Sequence, residues 1–517
     1  MMKKVVLIAP ANDFAGNANV THLTAPIAPP LGILSIGSYL VQHGVPVELI
    51  DVQMDFGFGL TLAADQQVCE DVAHYLASQA DAIAWVGISQ LSNSGSGIRM
   101  AQAIHEALPN LPIILGGYFP SNTYQLLLKK FPFITAIVRG DGEVAALYLS
   151  HCFAEGRSFF VKDSPNLAWL EAGEIRVTPV RPIILDELPI MDFRLLKHYA
   201  DYQLIDLVTS RGCPFNCNYC LESSMRPYAV YAPTWVVRQL AHLEAELPNE
   251  RIFIYDPVFG LGQKRTREIC RILGKYRFTY GIESRVDVLS PNQIPALREA
   301  GVETIFWGLE SASPSTLQRM NKVRSKVKAK SYIKQALEVL KVCFEQGLTP
   351  VIPFMLSFPG DIEADYQTSL ELVKEVVHLH TQVAAQTGLE PGFAVYSFYT
   401  KVYDGSYLAQ QIGKDSLQVI LRDESFIGER TILSPSPDVD LEITKRYQAQ
   451  IASQATYTVL ALARMAQYYA FSLSDFLAAH PELTDERGVT IFGDSLRRFA
   501  QEFNPGSMLL RYYKSKD

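Results

Sequence analysis

The chain has 517 residues, 48% of them hydrophobic, with a formal net charge of -8. That is enough apolar material for two or three buried cores, and the acidic balance argues against nucleic-acid binding, which would show a basic face. No uninterrupted apolar run of about 18 residues suggests a membrane span, and seven cysteines are too few for a disulfide scaffold in so long a chain.

The opening residues, Met1 to Pro10, resemble a signal peptide only superficially. The apolar run is short and lacks a small-residue cleavage site, so it reads as a buried first strand of a cytoplasmic protein. Through residue 155, short Val- and Ile-rich runs at 5–9, 47–51, 82–88, 113–115 and 136–138 alternate with helical patterns at 32–43, 66–78, 97–108 and 122–130. This alternation predicts an α/β unit with a doubly wound, five-stranded parallel sheet. Its ligand is expected at the carboxyl ends of strands one and three, beside the long loop 10–30 and the Ser-, Asn- and Gly-rich segment 89–96. Residues 156–200 break the rhythm and read as a linker. A second series follows at 201–400, with strands expected at 204–209, 252–255, 280–282, 304–307, 351–355 and 393–397. Six βα units make a partial (β/α)6 barrel, too few for a closed eight-stranded one. From 401 to 517 the chain reads as a mostly helical carboxy-terminal region, with a long helix expected at 443–469. The basic residues Lys322, Arg324, Lys326, Lys328 and Lys330 read as a solvated surface segment.

Chemistry is concentrated in the loop after the first strand of the second series. Cys213, Cys217 and Cys220 have the spacing Cys-x3-Cys-x2-Cys. Soft thiolates in a tight loop suit an iron–sulfur cluster. Three thiolates hold three irons of a cubane and leave the fourth open. The alternative is a structural zinc site, which needs a fourth protein ligand. Cys69, Cys152, Cys270 and Cys343 are distant in sequence, and His198 and His242 lie outside the loop, so such a ligand would have to arrive through the fold.

The motif, with aromatic Tyr219 just before its last cysteine, resembles the signature of radical S-adenosylmethionine (SAM) enzymes. The resemblance implies a [4Fe-4S] cluster on Cys213, Cys217 and Cys220. Its open iron would chelate the amino and carboxylate groups of S-adenosylmethionine, whose reductive cleavage releases a 5′-deoxyadenosyl radical. It also implies an electron donor such as flavodoxin or ferredoxin. Asp256 resembles the strand end that approaches the methionyl amino group, and Glu283, Arg285, Glu310 and Ser311 resemble strand-end groups near the bound nucleoside. Phe358-Pro359-Gly360-Asp361 is similar to the loop after strand five, with Asp361-Ile362 where many members have Glu-Thr.

A five-stranded domain ahead of such a core resembles the cobalamin-binding class of this family. The segments that carry the resemblance are Pro29-Pro30-Leu31-Gly32, Val86-Gly87-Ile88-Ser89, Leu115-Gly116-Gly117 and Gly140-Asp141-Gly142-Glu143. It implies cobalamin bound near Ser89, Gly116, Gly117 and Glu143, with the two glycines lining the slot for its nucleotide tail. No histidine of the first 155 residues has an aspartate two places before it, so the Asp-x-His-x-x-Gly motif is absent and base-off binding is expected. The alternative is a degenerate domain that binds no cobalamin. The resemblance implies a methyltransferase acting on an unactivated carbon of a small metabolite or peptide. A cyclase or rearrangement enzyme with the same cofactors is the second reading, and a non-catalytic iron–sulfur or metal-binding protein the third. A methylthiotransferase would have a second cysteine triad in its first domain, where only Cys69 and Cys152 occur.

Overall fold

The computed structural model describes residues 2–11, 28–59, 62–90, 95–202, 204–248, 250–389, 393–412, 418–421 and 430–454. The expected loop 10–30 lies mostly outside these residues, as do residues 91–94 of the segment 89–96 and the carboxy-terminal part of the helix expected at 443–469.

The first sheet is built from β1 (Lys4–Ala9), β2 (Val47–Asp51), β3 (Ile83–Ser89), β4 (Ile113–Gly116) and β5 (Ala136–Val138). They pair in parallel in the order β2-β1-β3-β4-β5, so the winding reverses between β1 and β3. Helices α1 (Leu31–Gln42), α2 (Leu62–Ala77), α3 (Ser96–Ala107), α4 (Tyr118–Lys130) and α5 (Glu143–Glu155) connect and cover it. Successive strand residues point to opposite faces, and both faces are apolar. Val5, Leu7, Trp85 and Ile114 join one core, while Val6, Ile8, Val86, Ile88 and Leu115 join the other.

The segment 156–200 does more than link. It adds β6 (Leu167–Glu171) and β7 (Glu174–Val177), an antiparallel hairpin that extends the sheet beyond β5 to seven strands. Leu167, Ala168 and Trp169 are buried. β7 is short, charged and exposed, a composition that protects a sheet edge from further pairing and hides the strand from a reading based on hydrophobicity.

The second sheet contains β8 (Ile205–Leu207), β11 (Arg251–Ile254), β12 (Thr279–Ser284), β13 (Val302–Trp307), β14 (Thr349–Leu356) and β15 (Ala394–Tyr399). All six are parallel and lie in sequence order, with β8 and β15 at the two edges. Between β8 and β11 the chain makes a two-residue ribbon, β9 (Ser210–Arg211) with β10 (Ala229–Val230). Helices α6 (Pro233–Glu246), α7 (Gln263–Leu273), α8 (Ile294–Glu299), α9 (Pro314–Arg319), α10 (Lys326–Glu345) and α11 (Glu363–Thr387) intervene. Ile205, Leu207, Ile252, Ile254, Ile282, Ile305 and Trp307 belong to the large apolar core. The alternate positions turn to the inner face, where Leu204, Phe253 and Phe306 form a small apolar floor. Beyond 400 the described residues add an antiparallel sheet, β16 (Lys401–Val402), β17 (Gln418–Leu421) and β18 (Arg430–Ser434), and the helix α12 (Leu441–Gln454).

Candidate cofactor-binding site

The cysteine loop starts where β8 ends and is held open by atoms other than sulfur. Asp256, just past β11, accepts from the Thr209 N–H at 2.6 Å, the Thr209 hydroxyl at 2.6 Å and the Ser210 N–H at 2.9 Å. Asp256 is buried, and its carboxylate serves the entry of the loop. In mid-loop, the Asn218 N–H donates to the Met320 carbonyl at 3.0 Å and its side-chain amide to the Arg319 carbonyl at 2.7 Å. Asn321 reaches the Asn216 carbonyl at 2.6 Å. Arg285 stacks its guanidinium 3.8 Å from the Phe215 ring centroid, pairs with Asp287 at 2.9 Å and points an N–H at Cys217 Sγ at 3.5 Å.

Cys213, Cys217 and Cys220 are free and half-buried. Burial pushes the Cys220 thiol up to about 12 and raises Cys213 as well. Soft, deprotonated ligands at such a site require a metal's positive charge to be stable. Among the described residues no three His, Cys, Asp or Glu groups converge to hold a single ion. Three soft thiolates in one loop can each take a separate iron of a cubane, whereas a closed zinc site needs a fourth protein ligand, so the donor set fits a cluster.

Around this loop the structure gathers Tyr219, Glu310 and Lys322. The Lys322 ammonium lies 3.0 Å from Glu310 Oε1 and 3.3 Å from the Tyr219 hydroxyl. Its side chain is only 4% exposed. The expectation of a solvated basic surface therefore fails at Lys322: the chain after α9 turns inward there, and a carboxylate twelve residues earlier compensates the charge. Glu310 has φ +68, a conformation unfavourable for a side-chain-bearing residue, and pairs backbone to backbone with Phe354. Strain of this kind gathers at functional sites. Ser311 is buried and accepts from the Ser313 N–H at 3.1 Å, so it shapes the turn leading into α9.

The inner face of the second sheet carries two carboxylates. Register aligns Asp206 with Phe253 and Phe253 with Gly281, and Glu283 follows two positions along on the same face. Both are partly accessible from the inner face yet enclosed by protein. Burial raises Asp206 to about 8, with Glu283 adding to the effect, and burial with the nearby Glu222, Glu310 and Asp256 raises Glu283 to about 7. Asp206 was not singled out from sequence, although an acid inside the run Leu204-Ile205-Asp206-Leu207-Val208 is a visible break in an otherwise apolar strand.

At the first sheet, Ser89 and Gly116 pair across the carboxyl ends of β3 and β4, and Gly32 lies against the Ser89 hydroxyl. A Cβ on Gly116 would meet nothing nearer than 4.0 Å, so the backbone there is open to a flat ligand. Gly117 differs. Its φ is +102, and a Cβ would stand 2.3 Å from the Gln90 carbonyl oxygen, so it is required by the fold itself. Glu143 is buried, accepting from Ser35 at 2.7 Å and Arg211 at 2.8 Å, and Arg211 holds it ionised despite burial. Arg211 lies two residues before Cys213. It and Arg226 also pair with Asp141 at 3.2 and 2.9 Å, so these ion pairs tie the cysteine loop to the start of α5.

The B12-binding domain model matches residues 20–149 and the Radical SAM superfamily model residues 207–373. An uncharacterised methyltransferase of Pyrococcus horikoshii is 27% identical over 387 residues, covering 72% of this chain and 78% of the relative. An anaerobic magnesium-protoporphyrin IX monomethyl ester cyclase of Synechocystis is 28% identical over 318 residues, covering 57% of this chain and 59% of the cyclase. Among solved structures, the cobalamin-dependent S-adenosylmethionine radical enzyme OxsB, with aqua-cobalamin and S-adenosylmethionine bound, superposes with a TM-score of 0.68 at 16% identity, covering 99% of this chain and 75% of OxsB. The radical S-adenosylmethionine methyltransferase TsrM of Kitasatospora setae, with cobalamin and a [4Fe-4S] cluster bound, also gives 0.68, at 14% identity and 97% and 99% coverage. With a B12-binding domain leading into a Radical SAM domain across one ion-paired boundary, this chain is similar to the cobalamin-binding radical S-adenosylmethionine enzymes.

Proposed function

We propose that the protein methylates an unactivated carbon of a small molecule. The observation that carries this reading is the Arg211–Glu143 contact, which fixes the cysteine loop against the glycine-edged sheet so that a substrate between them can meet both cofactors. Bound there, the cluster with S-adenosylmethionine supplies a hydrogen-abstracting radical and cobalamin supplies the methyl group. In this reading Cys213, Cys217 and Cys220 hold the cluster. Tyr219, Glu310 and Lys322 border S-adenosylmethionine, to which the ammonium and carboxylate would offer opposite charges. Glu283 faces the same space. Asp256, Arg285 and Ser311 position backbone. Ser89 and Gly116 border cobalamin, while Gly117 and Glu143 shape its surroundings without facing an open slot. With no histidine motif, cobalamin binds base-off. The cobalamin-binding unit is assigned to residues 1–155 with the hairpin at 167–177 as its edge, and the radical core to 201–400.

Relatives named as methyltransferases support this outcome, and TsrM with tryptophan bound supports a small-molecule substrate. The magnesium-protoporphyrin cyclase relatives favour a second reading, cyclisation with the same cofactors. The discriminating experiment supplies a flavodoxin-type donor and follows S-adenosylmethionine products. Methylation at an unactivated carbon yields S-adenosylhomocysteine and 5′-deoxyadenosine in about equal amounts, one from methyl donation and one from hydrogen abstraction. Deoxyadenosine with no methyl gain would replace methylation by cyclisation, and S-adenosylhomocysteine alone would overturn the radical step.

A further inference from the structure

Glu222 stands where the two domains and the inner face of the second sheet meet. It lies two residues after Cys220, and its backbone N–H donates to Cys220 Sγ at 3.4 Å. Its Oε1 accepts from the Tyr118 hydroxyl at 2.7 Å. Tyr118 opens α4 directly after Gly116-Gly117, so this one contact joins the glycine edge of the first sheet to the cysteine loop of the second. Glu222 Oε2 is buried without a hydrogen-bond partner.

We propose that Tyr118 and Glu222 are positioning residues that couple the two cofactor sites electrostatically. This rests on the reading that Cys220 ligates the cluster and that the edge at Gly116 borders cobalamin. An N–H donated to a ligating sulfur stabilises the additional negative charge of a reduced cluster and so raises its potential. A nearby carboxylate opposes that charge and lowers it. The tyrosine hydroxyl, donating to the carboxylate, offsets part of this opposition and holds Glu222 in place. The contact is not needed to dock the domains. Arg211 with Glu143, Arg226 with Asp141, and Tyr202 with Asp51 at 2.6 Å already join them.

The test uses full-length protein with an anaerobically reconstituted cluster. Wild type, Tyr118→Phe, Glu222→Gln and the double variant are titrated electrochemically, with the cluster followed by electron paramagnetic resonance, before and after addition of hydroxocobalamin. The two single variants are expected to shift the potential in opposite directions, Tyr118→Phe downward and Glu222→Gln upward. In the double variant the tyrosine change adds little, because the charge it offset is gone. Hydroxocobalamin shifts the wild-type cluster signal more than that of Tyr118→Phe, while melting temperatures stay near wild type. A Tyr118→Phe variant with the wild-type potential overturns the inference. So do two shifts of the same sign accompanied by lowered melting temperatures, which mean simple loosening. If wild type assembles no cluster, the underlying reading falls instead. If it assembles a cluster but binds no cobalamin, the coupling of the two sites falls together with the reading of the Gly116 edge on which it rests.

Discussion

The two parallel sheets are made from similar strands and use them differently. Among the described residues the first is apolar on both faces and offers an open edge at its rim, where Ser89 and Gly116 end their strands. The second packs one face against helices and turns the other inward, where Asp206, Glu283, Phe253 and Phe306 stand together. The contrast teaches that a strand covered on both sides specifies little beyond the fold. A strand bordering an interior space can place a charge in mid-strand, at a cost in stability that its surroundings must bear.

The contrast can be tested first by removing the three cysteines of the second sheet's loop. Replacing Cys213, Cys217 and Cys220 with Ala is expected to abolish bound iron and 5′-deoxyadenosine formation while hydroxocobalamin binding, a property of the other sheet, is retained. Iron analysis with cobalamin titration checks both. Loss of cobalamin binding would mean the rim does not act alone.

A smaller effect is expected at Lys322. Lys322→Met leaves the Glu310 carboxylate buried without its cation, a change that costs about 3–5 kcal/mol in comparable pairs. Glu310→Gln in the same chain restores much of that loss. Urea unfolding measures the stability, and an S-adenosylmethionine titration should show weakened binding in both variants.

The two rim glycines separate ligand from fold. Gly116→Val should weaken hydroxocobalamin binding with little change in melting temperature, because the space it fills is open. Gly117→Val should destabilise the protein by more than about 1 kcal/mol, since its φ of +102 excludes a β-branched residue and Gln90 blocks the side chain. Equal effects at both positions would erase the distinction.

The last expected effect is a pH dependence, which is silent at acid pH and emerges only as pH rises. Asp206 has a folded-state pKa near 8, raised above its ordinary value by burial. The folded state therefore keeps a proton that the unfolded chain has already lost, and stability falls as pH rises from the ordinary aspartate range through about 8. In Asp206→Asn that part of the slope disappears and the protein is more stable than wild type at the alkaline end. Melting temperatures across this range decide it.

Much of the fold is legible because it is periodic. The alternation of β and α locates the strand cores at 47–51 and 136–138 to the residue, and the six strands of the second series follow the same rule. The hairpin at 167–177 escapes, since Glu174 and Arg176 give its edge strand the polarity of a loop. The cysteine loop is legible because its three thiols lie within eight residues. Lys322 is not, because its partner Glu310 lies beyond α9 and its neighbours Lys326, Lys328 and Lys330 continue the basic pattern into a helix. Nor is Tyr118–Glu222, a contact across 104 residues that no local pattern encodes. Asp256 and Arg285 stand out as strand-end residues, and only their contacts reveal that they brace the loop.

The bracing of that loop also bears on damage and repair. Iron–sulfur clusters open to solvent are vulnerable to oxygen, and a loop shaped only by its metal would collapse when the metal left. Here Asp256, Asn218, Asn321 and Arg285 grip the chain through backbone and side-chain atoms that do not depend on iron. Held by these contacts, the loop would keep the shape of its site if a bound cluster were lost. Refilling it requires delivery of iron and sulfide and reduction of any oxidised thiol, without a new round of folding.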